Sequence, residues 1–328
     1  MKLCTKSLHA SIVLALALWA PTGLLADATI RYHSEFKPSP VLQPFMEQLM
    51  KHAQAGGDVS VRMKGNQAYT TAGATVEIFD FAKNEVTLLD PVHKTMAVVP
   101  VSELSDKFAA AVPQSPAPTP AVQQTLAAIK PTIYTKMTGN TAEIQGVLAE
   151  EREITVDMEM PMPEGMNQSQ SGMKLVVHIW TAKKEEVLRV PAIRELTGYN
   201  AWQRYMVNPV GMLEKMTGRL PGVASSMAPI FEEMFKSPSV ILRTHIEFYM
   251  PLMAALSHRM SAQNGAAPAF DPNAPLMEMN QEADELSSAP VDASIFEVPK
   301  DYTAISADEM VRSMVQPQST PAAAATQK

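Results

Sequence analysis

From Ala28 onward apolar and polar residues alternate, with Ile30, Tyr32 and Phe36 set against Arg31, His33 and Glu35. That is the period of a half-buried strand. The period then changes. Val41, Leu42, Phe45, Met46, Leu49 and Met50 fall on one stripe of a helix predicted over Pro38–Lys51 and ended by Gly56-Gly57. A meander follows. Val59, Val61 and Met63 lead into the turn Lys64-Gly65-Asn66, and Ala68 to Thr71 returns. Val76, Ile78 and Asp80 run out, Lys83-Asn84 turns the chain, Val86, Leu88 and Asp90 run back, and Thr95 to Val99 closes the set. Short strands at regular spacing with turn residues between them predict an antiparallel sheet.

Ser102 to Ala110 reads as a helix capped by Ser102. Pro/Ala-rich loops are expected over 112–120 and 264–275, with a short helix over Ala121–Ile129 between the first loop and the next strands. A second sheet portion runs from Thr132 to Trp180, with Met137-Thr138-Gly139-Asn140 as a turn. Ala142, Ile144, Gly146 and Leu148 form one strand face. Ile154, Val156, Met158 and Met160 share another face, opposite Glu153, Thr155, Asp157 and Glu159, and Leu175, Val177 and Ile179 resume the pattern after a loop over Pro161–Gly172. A helical insertion is expected over about 190–236. It comprises a helix over Ile193–Met206 and an amphipathic, methionine-bearing helix starting at Pro221 with Val223, Met227, Ile230, Phe231, Met234 and Phe235 on one face. Val240 to Phe248 reads as a strand with Arg243, His245 and Glu247 on its polar side, Pro251–Met260 as a helix, Leu276–Glu285 as a polar strand, Ile295–Val298 as a short terminal strand and Asp308–Met314 as a last helix. Residues 306–328 end in a low-complexity tail.

The fold class implied is α+β, mostly β: a curved antiparallel sheet, an open half-barrel, covered by helices. The N-terminal residues change the picture of compartment. Lys2 and Lys6 precede the apolar run Ile12–Ala20, then Pro21, Gly23 and the small Ala26. This is the order of a cleavable secretory signal over residues 1–26, too short in its apolar part for the roughly 20 residues of a membrane helix. The expectation is a periplasmic or secreted protein with one domain over 27–305, not an integral membrane protein. Cys4 is the single cysteine and falls in that leader, so disulfides and thiolate chemistry are excluded from the mature chain. Removing two lysines takes the formal charge from −7 to −9. With no basic cluster left, nucleic acid is excluded as a main partner.

Chemistry-bearing patterns are few. No Gly-x-Ser-x-Gly, His-Glu-x-x-His or phosphate-cradling glycine loop occurs in the 328 residues, which argues against an enzyme and requires no cofactor. Met158, Met160, Met162 and Met166, with Met173 and His178 nearby, suit a soft ion such as Cu(I). Methionines spread through the whole chain favour ordinary packing instead. His33, His178 and His245 lie on polar strand faces without ligand spacing. Glu153, Asp157 and Glu159 read as a solvated sheet face.

Three segments carry a family resemblance: Val-Arg-Met-Lys-Gly-Asn-Gln-Ala-Tyr (Val61–Tyr69) with Thr-Leu-Leu-Asp-Pro-Val-His-Lys-Thr-Met (Thr87–Met96), then Thr138-Gly139 with Ile144-Gln145-Gly146, then Ser294-Ile295-Phe296-Glu297-Val298-Pro299 with Tyr302. In outline residues 28–305 resemble exported bacterial domains of unknown function that are similar to the periplasmic lipoprotein carriers of the Lol type. The resemblance implies a half-barrel over an apolar hollow and no catalytic residue. On this reading a lipid or other apolar ligand would be lined by Ile30, Tyr32, Val61, Ile78, Leu88, Ile144, Val156, Val177 and Ile246, with Met227 and Phe231 on the lid. The alternatives are the methionine loop as an envelope copper binder and a structural module with an envelope protein partner.

Overall fold

A computed structural model describes residues 26–40, 42–43, 58–73, 75–111, 119–120, 130–159, 171–206, 232–233, 236, 239–252, 271 and 273–315. Twelve strands form one open sheet. They are β1 (Ala28–Pro38), β2 (Val59–Lys64), β3 (Gln67–Ala72), β4 (Thr75–Asp80), β5 (Glu85–Asp90), β6 (Thr95–Pro100), β7 (Lys130–Ile144), β8 (Val147–Glu159), β9 (Ser171–Ala182), β10 (Ile241–Tyr249), β11 (Met277–Ser287) and β12 (Thr303–Ala304). Their spatial order is β12-β6-β5-β4-β3-β2-β1-β11-β10-β9-β8-β7. Neighbours are antiparallel except the short β12, which runs parallel to β6. The N-terminal meander and the meander β7–β11 are joined where β1 pairs with both β2 and β11. Four α-helices are described: α1 (Val101–Ala111), α2 (Lys184–Arg189), α3 (Pro191–Met206) and α4 (Ala307–Val315). None is long and apolar enough to cross a membrane. The protein is therefore α+β, mostly β, with a half-barrel-like open sheet.

The turns have local causes. Asp80 Oδ1 accepts from the backbone N–H groups of Ala82 and Lys83 at 3.1 Å each, and Asp90 Oδ1 from those of Val92 and His93 at 2.9 and 3.0 Å. Both loops close through a left-handed residue, Asn84 and Lys94 respectively. Aspartates that hydrogen-bond the backbone two and three residues on are common turn formers.

Three boundaries differ from the sequence expectations. α1 begins at Val101, so Ser102 lies inside its first turn and does not cap it; the buried Val101, whose N–H donates to the Asn84 carbonyl, anchors the start. Met137–Asn140 is an irregularity within β7, and the hairpin turn is Gln145-Gly146, with φ of 51° and 73°. Two consecutive positive φ angles match the twist of a two-residue hairpin, which overrides the apparent alternation through Gly146. Residues Ala293–Phe296 form a 3-10 turn where a strand was expected, because the Asp292 side chain caps it by accepting from the Ser294 N–H at 3.0 Å. α2 had no sequence signal. The helix predicted over Ala121–Ile129 and most of those predicted from Pro221 and over Pro38–Lys51 and Pro251–Met260 lie outside the described residues, as do most of the two Pro/Ala-rich loops and of the loop 161–172.

Three apolar clusters hold the sheet. The first packs α1, α3 and α4 against both meanders through Ile30, Val61, Phe79, Val86, Leu88, Val99, Ile144, Val147, Ile193, Leu196 and Met310. The second gathers Ile154, Val156, Met158, Val177 and Ile179 on β8 and β9, with Ile133, Met173, Leu175, Ile241 and Ile246 beside them. The third covers the other side of β4 and β5 with the C-terminal segment, joining Val76, Ile78 and Leu89 to Val291 and Phe296.

Candidate functional site

The residues expected to line one hollow divide among these clusters. Ile30, Tyr32, Val61, Leu88 and Ile144 belong to the first cluster, Val156, Val177 and Ile246 to the second, and Ile78 to the third. Pairing explains the separation of Ile78. It lies opposite Thr87, whereas the partner of Leu88 is Glu77. Strands β4 and β5 are apolar on both faces, so alternation alone did not reveal which residues faced together. In the first cluster the space under the helices is occupied by Ile193, Leu196 and Tyr199 of α3. Tyr32 is held there by donating its hydroxyl to the Ile241 carbonyl at 2.8 Å.

Strand β8 changes its buried side halfway along. Val147 and Ala149 join the first cluster, and Ile154, Val156 and Met158, on the opposite face, join the second. The second cluster continues sideways in register. Val156 lies opposite Leu175, which lies opposite Phe248, which lies opposite Met277. Ile154 likewise leads to Val177, Ile246, Met279 and Phe36. Ile154, Val156 and Val177 have no accessible surface, while Leu175, Ile246, Phe248, Met277, Met279 and Phe36 keep part of theirs. This is a broad apolar face across six strands. Met158 packs here opposite Met173. Met160, Met162, Met166, Met227 and Phe231 lie outside the described residues.

The opposite face of the same strands is polar and interconnected. Glu151, 4% exposed, sits at the point where β8 changes sides. Its carboxylate accepts from Thr138 Oγ1 at 2.6 Å, Asn140 Nδ2 at 2.5 Å and His178 Nδ1 at 2.7 Å. Burial raises its pKa, and these three hydrogen bonds more than offset that, leaving it below the ordinary glutamate value. The irregularity in β7 puts Thr138, Gly139 and Asn140 opposite this single residue, and Gly139 at φ 84° allows the detour. His178 stacks on Trp180 with ring centres 6.0 Å apart, and the Arg243 guanidinium lies 5.4 Å over that indole. Glu153 is not freely solvated: Lys136 pairs with it at 3.0 Å. Sequence reasoning missed Glu151, Thr138 and Asn140, because a glutamate within a strand and a turn-like Thr-Gly-Asn carry no signal of their meeting. Among the described residues no group of three or more His, Cys, Asp or Glu side chains is placed to hold a metal ion by itself.

One buried carboxyl stands apart. Glu77 shares the face of Phe79 and lies opposite Thr70 and Leu88. Tyr199 of α3 closes over this region, its hydroxyl 3.3 Å from Thr70 Oγ1. Partly accessible but enclosed by apolar neighbours, Glu77 has its pKa pushed by desolvation up to about 7. The unfolded chain releases this proton at lower pH than the folded chain. Glu77 therefore makes stability decline as pH rises from the ordinary glutamate value to about 7, by on the order of 3 kcal/mol. Glu77→Gln is expected to remove that decline in denaturant titrations at pH 5 and pH 8. An unchanged difference from wild type between the two pH values would show that the folded protein does not disfavour the charge.

Against known proteins, no family model matches the chain and no curated sequence is significantly similar to it. The class is thus defined by architecture: a mostly β domain on one open antiparallel sheet, with one apolar side under helices.

Proposed function

We propose that this protein is an exported, non-enzymatic binding module that holds a lipid or other apolar ligand against its sheet. The observation that carries the reading is the apolar face centred on Val156, Val177 and Ile246, which grades from fully buried to partly accessible residues. Branched side chains form its floor and Met277 and Met279 its margin. Thioethers adapt to ligands of varied shape, and a few hundred Å² of apolar contact at about 25 cal/mol per Å² supplies useful affinity before ordering costs. The resemblance to periplasmic carriers supports the same class of ligand, with a difference of place. Ile193, Leu196 and Tyr199 already pack under α3, so this reading puts the ligand on the second cluster instead. The leader-like residues 1–26 support a periplasmic or secreted location.

The test is native mass spectrometry of protein purified from its own compartment, followed by displacement of a fluorescent fatty acid. Ile246→Asp is expected to weaken fatty-acid binding at least tenfold while the protein stays folded, since Ile246 is partly accessible. Ligand-free protein that shows no saturable binding to added fatty acids or phospholipids would overturn the reading.

A further inference from the structure

The carboxylate network on the polar face positions two histidines for a use that the apolar site does not require. His178 and His245 are register partners on β9 and β10, with ring centres 5.9 Å apart. Each has its Nδ1 engaged by an oxygen acceptor. His178 Nδ1 donates to Glu151 at 2.7 Å, and His245 Nδ1 to Asn280 Oδ1 at 2.5 Å. An imidazole that donates through Nδ1 carries its lone pair on Nε2. With Nδ1 donating, the neutral form of either ring carries its free lone pair on Nε2, and both rings keep some contact with solvent, the side chains being 22% and 25% exposed.

The surroundings of Nε2 on His245 call for a cation. Glu247 Oε1 lies 3.3 Å from it, so in the neutral form of His245 a lone pair faces a carboxylate. Two acceptors at that distance repel unless a proton or a metal ion lies between them. Glu247 is also on the partners' face by register, as are Glu153 opposite His178 and Glu278 opposite Glu247. The holding of His178 by a buried carboxylate that is itself fixed by Thr138 and Asn140 matches the outer-shell support given to metal-ligating histidines. Ring separation agrees as well. With metal–nitrogen bonds of about 2.0–2.1 Å, two imidazoles on one ion place their centres roughly 5–6 Å apart.

We propose that His178 and His245 bind one divalent ion of the copper–zinc class through their Nε2 atoms, with Glu247 beside it and water completing its coordination. Two protein nitrogens and solvent make an exchangeable site, not a closed structural one. Imidazole nitrogen suits copper and zinc, and copper is the tighter of the two. The site lies on the face opposite Met158 and Met173, so it is distinct from that pair. It also does not depend on the apolar-ligand reading.

The experiment uses the full-length mature protein without a histidine tag, titrated separately with Cu(II) and Zn(II) against a chromophoric chelator at neutral pH. One-to-one binding is expected, with two equivalent nitrogen couplings in the Cu(II) electron paramagnetic resonance spectrum. His178→Gln and His245→Gln should each weaken binding at least tenfold, and Glu151→Gln by about 10–100-fold through loss of orientation. His33→Gln and Met158→Leu should leave it unchanged. Circular dichroism of each variant checks that the fold persists. Binding that survives in the His178→Gln/His245→Gln double variant, or that disappears in Met158→Leu instead, would overturn the proposal. So would a pair that takes up protons but no metal.

Discussion

Phe79→Ala is expected to destabilise the protein by about 3–5 kcal/mol, measured by urea or guanidinium unfolding. Phe79 is 2% exposed, on β4 between Ala68 of β3 and Val86 of β5. Its ring meets Tyr199 at 6.2 Å and Trp202 at 5.7 Å in edge-on geometry, so it helps to seat α3 on the sheet. Truncation removes the transfer energy of a full aromatic side chain and leaves a cavity that a paired strand cannot collapse to fill. The aromatic contacts add about 0.5–1.5 kcal/mol per pair. Phe81, which packs on the same two rings but remains partly accessible, should cost less when changed to Ala. Equal losses at the two positions would mean that α3 is not fixed by Phe79.

Glu151→Ala should cost about 3–5 kcal/mol, because it removes three hydrogen bonds to one charged, nearly buried acceptor, each worth about 1.5–3 kcal/mol before water restores part of it at the exposed Asn140 and the partly exposed Thr138 and His178. Thr138, Asn140 and His178 all lose their acceptor, and the detour of β7 loses its purpose. Glu151→Gln retains an oxygen acceptor and should cost about 1–3 kcal/mol. The pH dependence runs opposite to that of Glu77. The folded pKa of Glu151 lies below its ordinary value, so its stabilisation is present above the ordinary glutamate pKa and is lost as pH falls through the lowered one. Unfolding curves from pH 7 down to pH 3 check this: the wild type should lose its advantage over Glu151→Gln toward acid. A constant gap would show that the carboxylate charge contributes nothing.

The two carboxyls show why the polar part of the molecule was hard to read in advance. Glu77 and Glu151 both occur in strands, yet one lies enclosed among apolar residues and the other inside a ring of donors. Nothing within four residues of either marks the difference. Their environments come from Tyr199 on one side and from Thr138, Asn140 and His178 on the other, all distant in sequence. The face shared by His178 and His245 was legible, because Arg243, His245 and Glu247 alternate with apolar neighbours. Their pairing was not, since it depends on the register between β9 and β10.

By itself, the order of residues determined which segments become strands and where most of them end. Period-two alternation and aspartate-led turns act within a few residues and leave little freedom to the local chain. It also marked the spans of α3 and α4 as helical. Only the tertiary structure decided which apolar face meets which. Ile78 and Leu88 were expected to act together and point to opposite sides, and the buried side of β8 switches at Glu151. The reason is physical: a strand that is apolar on both sides satisfies burial either way, and long-range register together with the helices available to cover each face selects between the two.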